Sequence, residues 1–164
     1  MVIALKRYLQ QDISDACARY EVYDEKGALT CRIRGRSTPS GESMRITDPQ
    51  GEVLCKVRRL GFQALGAYTI SIGCEIVRLN IAVSAGRAAV RFRGISFSIR
   101  GDVMSGSYDV IDADKTVICT VYRDYTKGCT TLTVNNKERE IFCIAAVACL
   151  NSLRAESAPV LQMT

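Results

Sequence analysis

Short segments in which apolar and polar residues alternate fill most of the chain, and one hairpin-like phrase recurs three times. The phrase spans residues 20–33, 44–57 and 108–121, and each copy holds an aspartate seven positions before a cysteine. Alternation with a period of two on both sides of a four-residue turn is typical of two antiparallel strands. The aspartates, Asp24, Asp48 and Asp112, can accept hydrogen bonds from turn amides, and Gly27 and Gly51 supply the positive φ that such turns require.

Two further segments, 68–77 and 88–99, show the same alternation around Gly73 and Gly94 and are predicted to be hairpins. Two strands for each hairpin, with single strands at 2–9 and 132–134, give about 12 strands. An open sheet of this kind would leave long unpaired edges, so the strands must close on themselves or stack as a sandwich.

The last part of the chain changes from alternation to an uninterrupted apolar run at 141–150. Asn135 and Glu138 have the spacing of a capping box, which predicts a helix over about 137–153. This helix is apolar on every side and must be surrounded, and its apolar run is about half of the roughly 20 residues that a membrane span needs. We therefore predict a mainly β fold, a closed antiparallel barrel of hairpin repeats enclosing a hydrophobic C-terminal helix, over 1–154, with a flexible tail at 155–164.

Composition adds a preference for anionic partners. Lys and Arg number 22 against 17 Asp and Glu, which gives a formal net charge of +5, and most of the cations are arginines. The first residues do not form a signal peptide, and the eight cysteines are far apart within alternating segments, which predicts buried, reduced thiols in a cytoplasmic protein. Without histidine or a Cys-x-x-Cys pair, neither a metal nor another cofactor is expected.

Taken together, the repeated hairpins at 20–27 and 44–51, Gly101-Asp102 ahead of the strand at 108–112, and the late apolar helix resemble the LURP-one-related family, whose fold belongs to the tubby C-terminal-like superfamily. The resemblance covers nearly the whole chain and implies a twelve-stranded barrel around a hydrophobic helix. Members often carry acidic residues where this chain has Asn135 and Asn136, and asparagine caps helices equally well. Tubby proteins bind phosphoinositides through basic residues on the barrel and phospholipid scramblases share the architecture, but a shared fold does not transfer a site.

Catalytic chemistry finds little support in the sequence. Histidine is absent, and the carboxylates lie in turns instead of in facing pairs. Cys31 beside Arg32 and Cys55 beside Lys56 have the cationic neighbour that an active thiolate needs, but strand neighbours point to opposite faces. We therefore expect a non-enzymatic protein.

Basic residues on three segments form the candidate site, because alternation turns them outward. If they lie together, they form a patch that binds anionic phospholipid headgroups or another phosphate-bearing ligand, with the protein cytoplasmic and peripheral at a membrane. The alternatives are a solvated exterior with dispersed charges and a protein–protein interaction or scaffold module. Nucleic acid is not expected, because exposed aromatic residues for base stacking are lacking. The candidate residues are Arg32, Arg34, Arg36, Lys56, Arg58, Arg91 and Arg93.

Overall fold

The structure is a computed structural model that describes residues 4–11, 19–38, 41–62, 65–124 and 127–162. These residues form twelve β-strands, a short 3-10 helix (Lys137–Arg139) and one α-helix, α1 (Glu140–Gln162). The strands are β1 (Leu5–Gln11), β2 (Arg19–Tyr23), β3 (Leu29–Thr38), β4 (Gly41–Thr47), β5 (Val53–Phe62), β6 (Leu65–Ile72), β7 (Glu75–Ser84), β8 (Arg87–Arg93), β9 (Ser98–Asp102), β10 (Ser107–Ile111), β11 (Val117–Asp124) and β12 (Cys129–Val134).

All twelve strands belong to one antiparallel sheet, in the order β8-β7-β6-β5-β4-β3-β2-β1-β12-β11-β10-β9. The pairing of β1 with β12, from Leu5 opposite Val134 to Gln10 opposite Cys129, joins the first strand of the chain to the last within the sheet. The sheet curls into a nearly closed barrel around α1. The predicted mainly β fold, its strand number and its enclosed helix are confirmed.

The aspartate of each repeated hairpin holds its turn together as the sequence predicts. Asp24 Oδ1 accepts hydrogen bonds from the amides of Lys26 and Ala28, both at 2.9 Å. Asp48 and Asp112 accept the equivalent pairs in their own turns. Gly27 and Gly51 have φ of 80° and 93°. One short side chain thus satisfies two turn amides that no strand partner reaches.

The segment 88–99 differs from the prediction, because it is not a hairpin. β8 pairs with β7 and β9 pairs with β10, and no ladder joins β8 to β9 among the described residues 87–102. Gly94, at φ 92°, carries the chain across this seam, where a Cβ atom would lie 2.8 Å from the carbonyl oxygen of Ile76. The alternation of apolar and polar residues predicts which face of the sheet a residue occupies, but not which strand its own strand pairs with. The sequence pattern therefore could not predict this seam, the unpaired boundary between β8 and β9.

Three phenylalanines cover the inner side of the seam. Phe92 is the last but one residue of β8, Phe97 lies in the connection to β9, and Phe142 projects from α1. Their ring centroids are 5.5–6.5 Å apart, in tilted and edge-to-face arrangements that aromatic rings favour. The helix therefore seals the barrel where strand pairing does not.

The helical segment, which opens with the 3-10 turn, begins one residue later than the capping-box spacing indicates. Asn136, not Asn135, is the N-cap, and its side chain accepts from the amide of Glu138 at 3.1 Å, while Asn135 Nδ2 donates to the carbonyl of Val117. The cap opens the 3-10 turn Lys137–Arg139, and α1 follows from Glu140. The helix continues to Gln162, beyond the predicted end at about residue 153.

Residues Phe142–Leu150 are buried on every side, each at most 2% exposed. Two ion pairs fix the start of the helix to the barrel, Arg7 Nε with Glu140 Oε1 at 2.7 Å and Arg139 Nη1 with Glu75 Oε1 at 2.8 Å. In the described part of the chain, no helix has both the length and the hydrophobicity of a membrane span. The space that many barrels use for a ligand is filled here by side chains.

Candidate anion-binding site

Three adjacent strands, β3, β4 and β5, turn their basic side chains to the outside of the barrel. Their other face is core, with Ile33, Ile46 and Val57 almost fully buried. Successive strand residues point to opposite faces, so Arg34, Arg45 and Lys56 beside them project outward.

The strand register brings these side chains next to one another. Arg34 is opposite Arg45, and Arg45 is opposite Lys56. In the next outward row, Arg36 is opposite Ser43, and Ser43 is opposite Arg58. Opposed residues have Cβ atoms about 5 Å apart, so the two rows form a compact set of cations. We call four of them the cationic cluster: Arg36, Arg45, Lys56 and Arg58.

The cationic cluster lacks carboxylate partners. Within the described residues, no Asp or Glu oxygen lies within 4.0 Å of its charged nitrogens. Arg34 differs, because its Nη2 binds Glu21 Oε1 at 2.5 Å, and Arg32 Nε binds the other oxygen of the same carboxylate at 3.2 Å. The four cations of the cluster therefore keep their positive charge on this face.

Hydroxyl groups and two shallow cavities complete the site. Ser43 lies between Arg36 and Arg58, Thr69 is opposite Arg58, and Ser71 is opposite Lys56. A cavity of about 470 Å³ is bordered by the cluster's β4 and β5 cations and all three hydroxyls. A second cavity of about 310 Å³ adjoins it and is bordered by Arg34, Arg36, Ser43 and Arg45. Guanidinium, ammonium and hydroxyl donors around one hollow match the acceptor oxygens of a phosphate group.

One carboxylate borders the larger cavity without facing the cluster. Glu42 and Arg59 occupy inward positions on β4 and β5 and are opposite each other. Glu42 Oε2 is 3.5 Å from Arg59 Nη1, and both side chains are only 11% exposed. Glu42 is therefore engaged inside the rim of the barrel instead of neutralising the outer cations.

Comparison with known proteins defines the family. The family model described as LURP-one-related matches residues 6–151. The chain belongs to the LURP-one-related family. The uncharacterized protein YxjI of Bacillus subtilis is 23% identical to it over 114 residues, covering 67% of this chain and 68% of YxjI. An Arabidopsis thaliana protein solved by X-ray crystallography has the same fold, with a TM-score of 0.64 and 13% identity over 92% of this chain and 91% of that one.

The remaining predicted site residues of this LURP-one-related protein lie at the margins of the basic face. Arg32 is paired with Glu21, as described above. One row of outward residues crosses the sheet from Arg36 on β3 through Arg58 on β5 to Arg93 on β8. Arg93 is the last residue of this row, next to Arg78 on β7. Three strand spacings separate β8 from β5, about 14 Å, which places Arg91 and Arg93 beyond the cluster but on the same face.

Sequence reasoning missed Arg45 and Arg78. Arg45 is the centre of the site, since it touches both cavities and has a cation opposite it on each side. The sequence does predict that Arg45 faces outward, because it lies between the apolar residues Met44 and Ile46 in the second hairpin repeat. A single basic residue on a strand does not form a pattern in the sequence. Only the strand register shows that Arg45 lies between Arg34 and Lys56.

Most cysteines of this LURP-one-related protein are buried thiols, as predicted, but Cys74 and Cys129 are not fully buried. Burial raises the pKa of Cys31 to about 11 and that of Cys55 to about 12, so both stay protonated at neutral pH. Cys74 is exposed at the β6–β7 turn and Cys129 is half-buried, while Cys17 lies outside the described residues. Across those residues, no three Cys, Asp or Glu side chains converge in a way that would hold a metal ion.

The end of the barrel from which the helix leaves is also filled, here by polar groups. Asn151 Nδ2 donates to Thr130 Oγ1 at 3.0 Å, and Arg123 Nη2 donates to Gln11 Oε1 at 3.3 Å. Burial raises the pKa of the neighbouring Tyr20 to about 12, so its phenol stays neutral. The outer basic face is thus the better candidate for binding.

Proposed function

We propose that this protein is a non-enzymatic binding module whose cationic cluster takes the phosphate groups of anionic phospholipid headgroups or of another phosphate-bearing ligand. The observation that carries the proposal is the set of four cations side by side around three hydroxyls, which no carboxylate among the described residues neutralises. Like charges at this spacing repel one another, and a phosphate placed among them relieves the repulsion and forms charge-assisted hydrogen bonds.

Charge reversal within the cluster tests this proposal. Each basic residue near an anionic surface contributes about 1 kcal/mol, so Lys56→Glu should cost about 2 kcal/mol, or roughly 30-fold in affinity. Lys6→Glu on β1 makes the same charge change at an exposed position four strands away and serves as the matched control. Co-sedimentation with vesicles containing phosphatidylserine, and calorimetric titration with a soluble inositol phosphate, measure the two ligand sources separately.

The expected result is strong loss for Lys56→Glu, little loss for Lys6→Glu, and weaker binding as salt rises. Equal losses for the two variants would mean that only net charge matters, and the site assignment would be wrong. A wild-type protein that binds neither vesicles nor inositol phosphate would remove the proposal.

A role in protein–protein interaction is favoured by one specific observation, the seam. β8 and β9 each present a strand edge that is not paired with the other, and such edges accept a strand from a partner. Light scattering would then show a mass that rises with concentration if the partner is a second copy. A constant monomer mass would exclude that self-associating form.

A further inference from the structure

Exposed large apolar side chains concentrate on the side of the barrel that bears the cations. Leu60 is 58% exposed on β5 and Ile76 is 59% exposed on β7, while Val53 at the start of β5 is 41% exposed. Only one other large apolar side chain in the described part of the chain is exposed to this degree, Tyr122 on β11. Burial of Leu60 and Ile76 would be energetically favourable, and exposed apolar side chains of this kind are typical of surfaces that bind a partner or a membrane.

Leu60 and Ile76 flank the cationic cluster on two sides. Leu60 follows Arg58 by two positions on the same outer face of β5. Ile76 is opposite Ser71, which is opposite Lys56, so it ends the row that contains Arg45 and Lys56. Two strand spacings and four residue rises separate the two apolar side chains, about 16 Å. Cations and hydroxyls occupy the space between them.

The strands β5 to β8, which carry Lys56 and Arg58 of the cluster, have a strong excess of positive charge. Residues 53–93, which form β5 to β8, contain seven Lys and Arg and one acidic residue, a net charge of +6, against +5 for the whole chain. The rest of the chain therefore has a net charge of −1. The single acidic residue is Glu75, and Arg139 neutralises it at 2.8 Å.

We infer that the outer face of β3 to β7 docks on an anionic lipid bilayer, with the cationic cluster among the headgroups and Leu60 and Ile76 inserted below them. This inference rests on the proposed phosphate binding and names its source. A soluble phosphate compound offers nothing to separated apolar side chains, whereas a bilayer presents anionic groups with an apolar layer directly beneath. A protein interface gathers its apolar residues in a central core with charges at the rim, the reverse of this arrangement.

Tryptophan substitution tests the inference directly, because the chain contains no tryptophan. Leu60→Trp places a single reporter on the docking face. Tyr122→Trp places one at a position that is equally exposed, 59%, on β11, which is six strands from β5 in the twelve-stranded sheet. Vesicles of phosphatidylcholine and phosphatidylserine in equal amounts, with or without bromine on the acyl chains, report how deeply each tryptophan lies.

With vesicles, Trp emission from Leu60→Trp should shift to the blue and be quenched by the brominated acyl chains, while Tyr122→Trp stays unchanged. Leu60→Ala should weaken vesicle binding about threefold to tenfold. It should not change inositol phosphate binding, because Leu60 borders the cavity but offers a phosphate no hydrogen bond or charge. Tyr122→Ala, which shortens an exposed side chain away from the docking face, is the control and should leave vesicle binding unchanged.

Each alternative gives a different result. Co-sedimentation with no blue shift or quenching from Leu60→Trp would leave phosphate binding intact and overturn the insertion of this face. This is the result expected if Leu60 and Ile76 contact a protein partner instead of a bilayer. Equal responses from Leu60→Trp and Tyr122→Trp would overturn the assigned orientation. No co-sedimentation at all would remove both the docking inference and the lipid form of the proposed function.

Discussion

Removing one side chain from the enclosed helix measures how far the barrel depends on it. Ile144 lies in the middle of the buried run of α1 and is 1% exposed. Ile144→Ala deletes three carbon atoms inside a packed core, and such truncations cost about 2–5 kcal/mol as lost transfer energy and residual cavity. Since domains are stable by only about 5–15 kcal/mol, a large part of the total would be lost.

The chain offers a matched control for this change. Ile76→Ala makes the same substitution at a position that is 59% exposed, and it should cost less than about 1 kcal/mol, mainly through lower strand propensity. Urea unfolding followed by circular dichroism gives both free energies, and thermal unfolding should place Ile144→Ala about 10 °C below the wild type.

The difference between the two variants is the informative quantity. Ile144→Ala should lower the denaturation midpoint while leaving the slope m unchanged, because the surface exposed on unfolding stays nearly the same. A cost for Ile144→Ala no greater than that for Ile76→Ala would show that the helix is not packed inside the barrel and would refute the account of the core.

Two further predictions concern the turns and the thiols. Hydrogen bonds from the amides of Ala28 and Lys26 lower the pKa of Asp24, so its contribution to stability is present above its ordinary pKa and is lost as the pH falls through the lowered one. Urea unfolding between pH 7 and about pH 3 should therefore show a smaller decline for Asp24→Asn, which keeps the acceptor oxygen but cannot titrate, and identical declines would contradict this cause. Native thiol labelling mapped by peptide mass spectrometry should modify Cys74 rapidly and leave Cys31, Cys55, Cys143 and Cys149 unmodified until the protein unfolds. Burial raises the pKa of Cys31, Cys55 and Cys149, and the hydrogen bond with Cys119 followed by burial raises that of Cys143. Rapid labelling of Cys55 in the folded protein would contradict its assignment as a buried structural thiol.

Local signals predicted the repeated hairpins accurately because each depends on a few adjacent residues. Asp24 and Asp48 bond to amides two and four positions further on, and Gly27 and Gly51 adopt the required φ. The segment around Gly94 has the same alternation, yet the flanking strands pair with other neighbours. The cap of the helix was displaced by one residue for a similar reason, since Asn135 is held by the carbonyl of Val117, far away in the chain.

Alternation in the sequence also determined which basic residues face outward, but not which of them are free. Arg32 and Arg36 are on the same face of β3, and only the pairing of β2 with β3 brings Glu21 opposite Arg32. Arg45 became the centre of the candidate site because β4 lies between β3 and β5 in the sheet.

The sequence by itself therefore determined the strands, their turns, the buried helix and the face that each side chain occupies, because all of these follow from residue type and local periodicity. The tertiary structure alone decided the position of the seam, the neutralisation of Arg32 and Arg34, and the meeting of Arg36, Arg45, Lys56 and Arg58 between Leu60 and Ile76. These features depend on which strands become neighbours and in what register, and pairing between distant segments is set by the closure of the whole barrel around its helix.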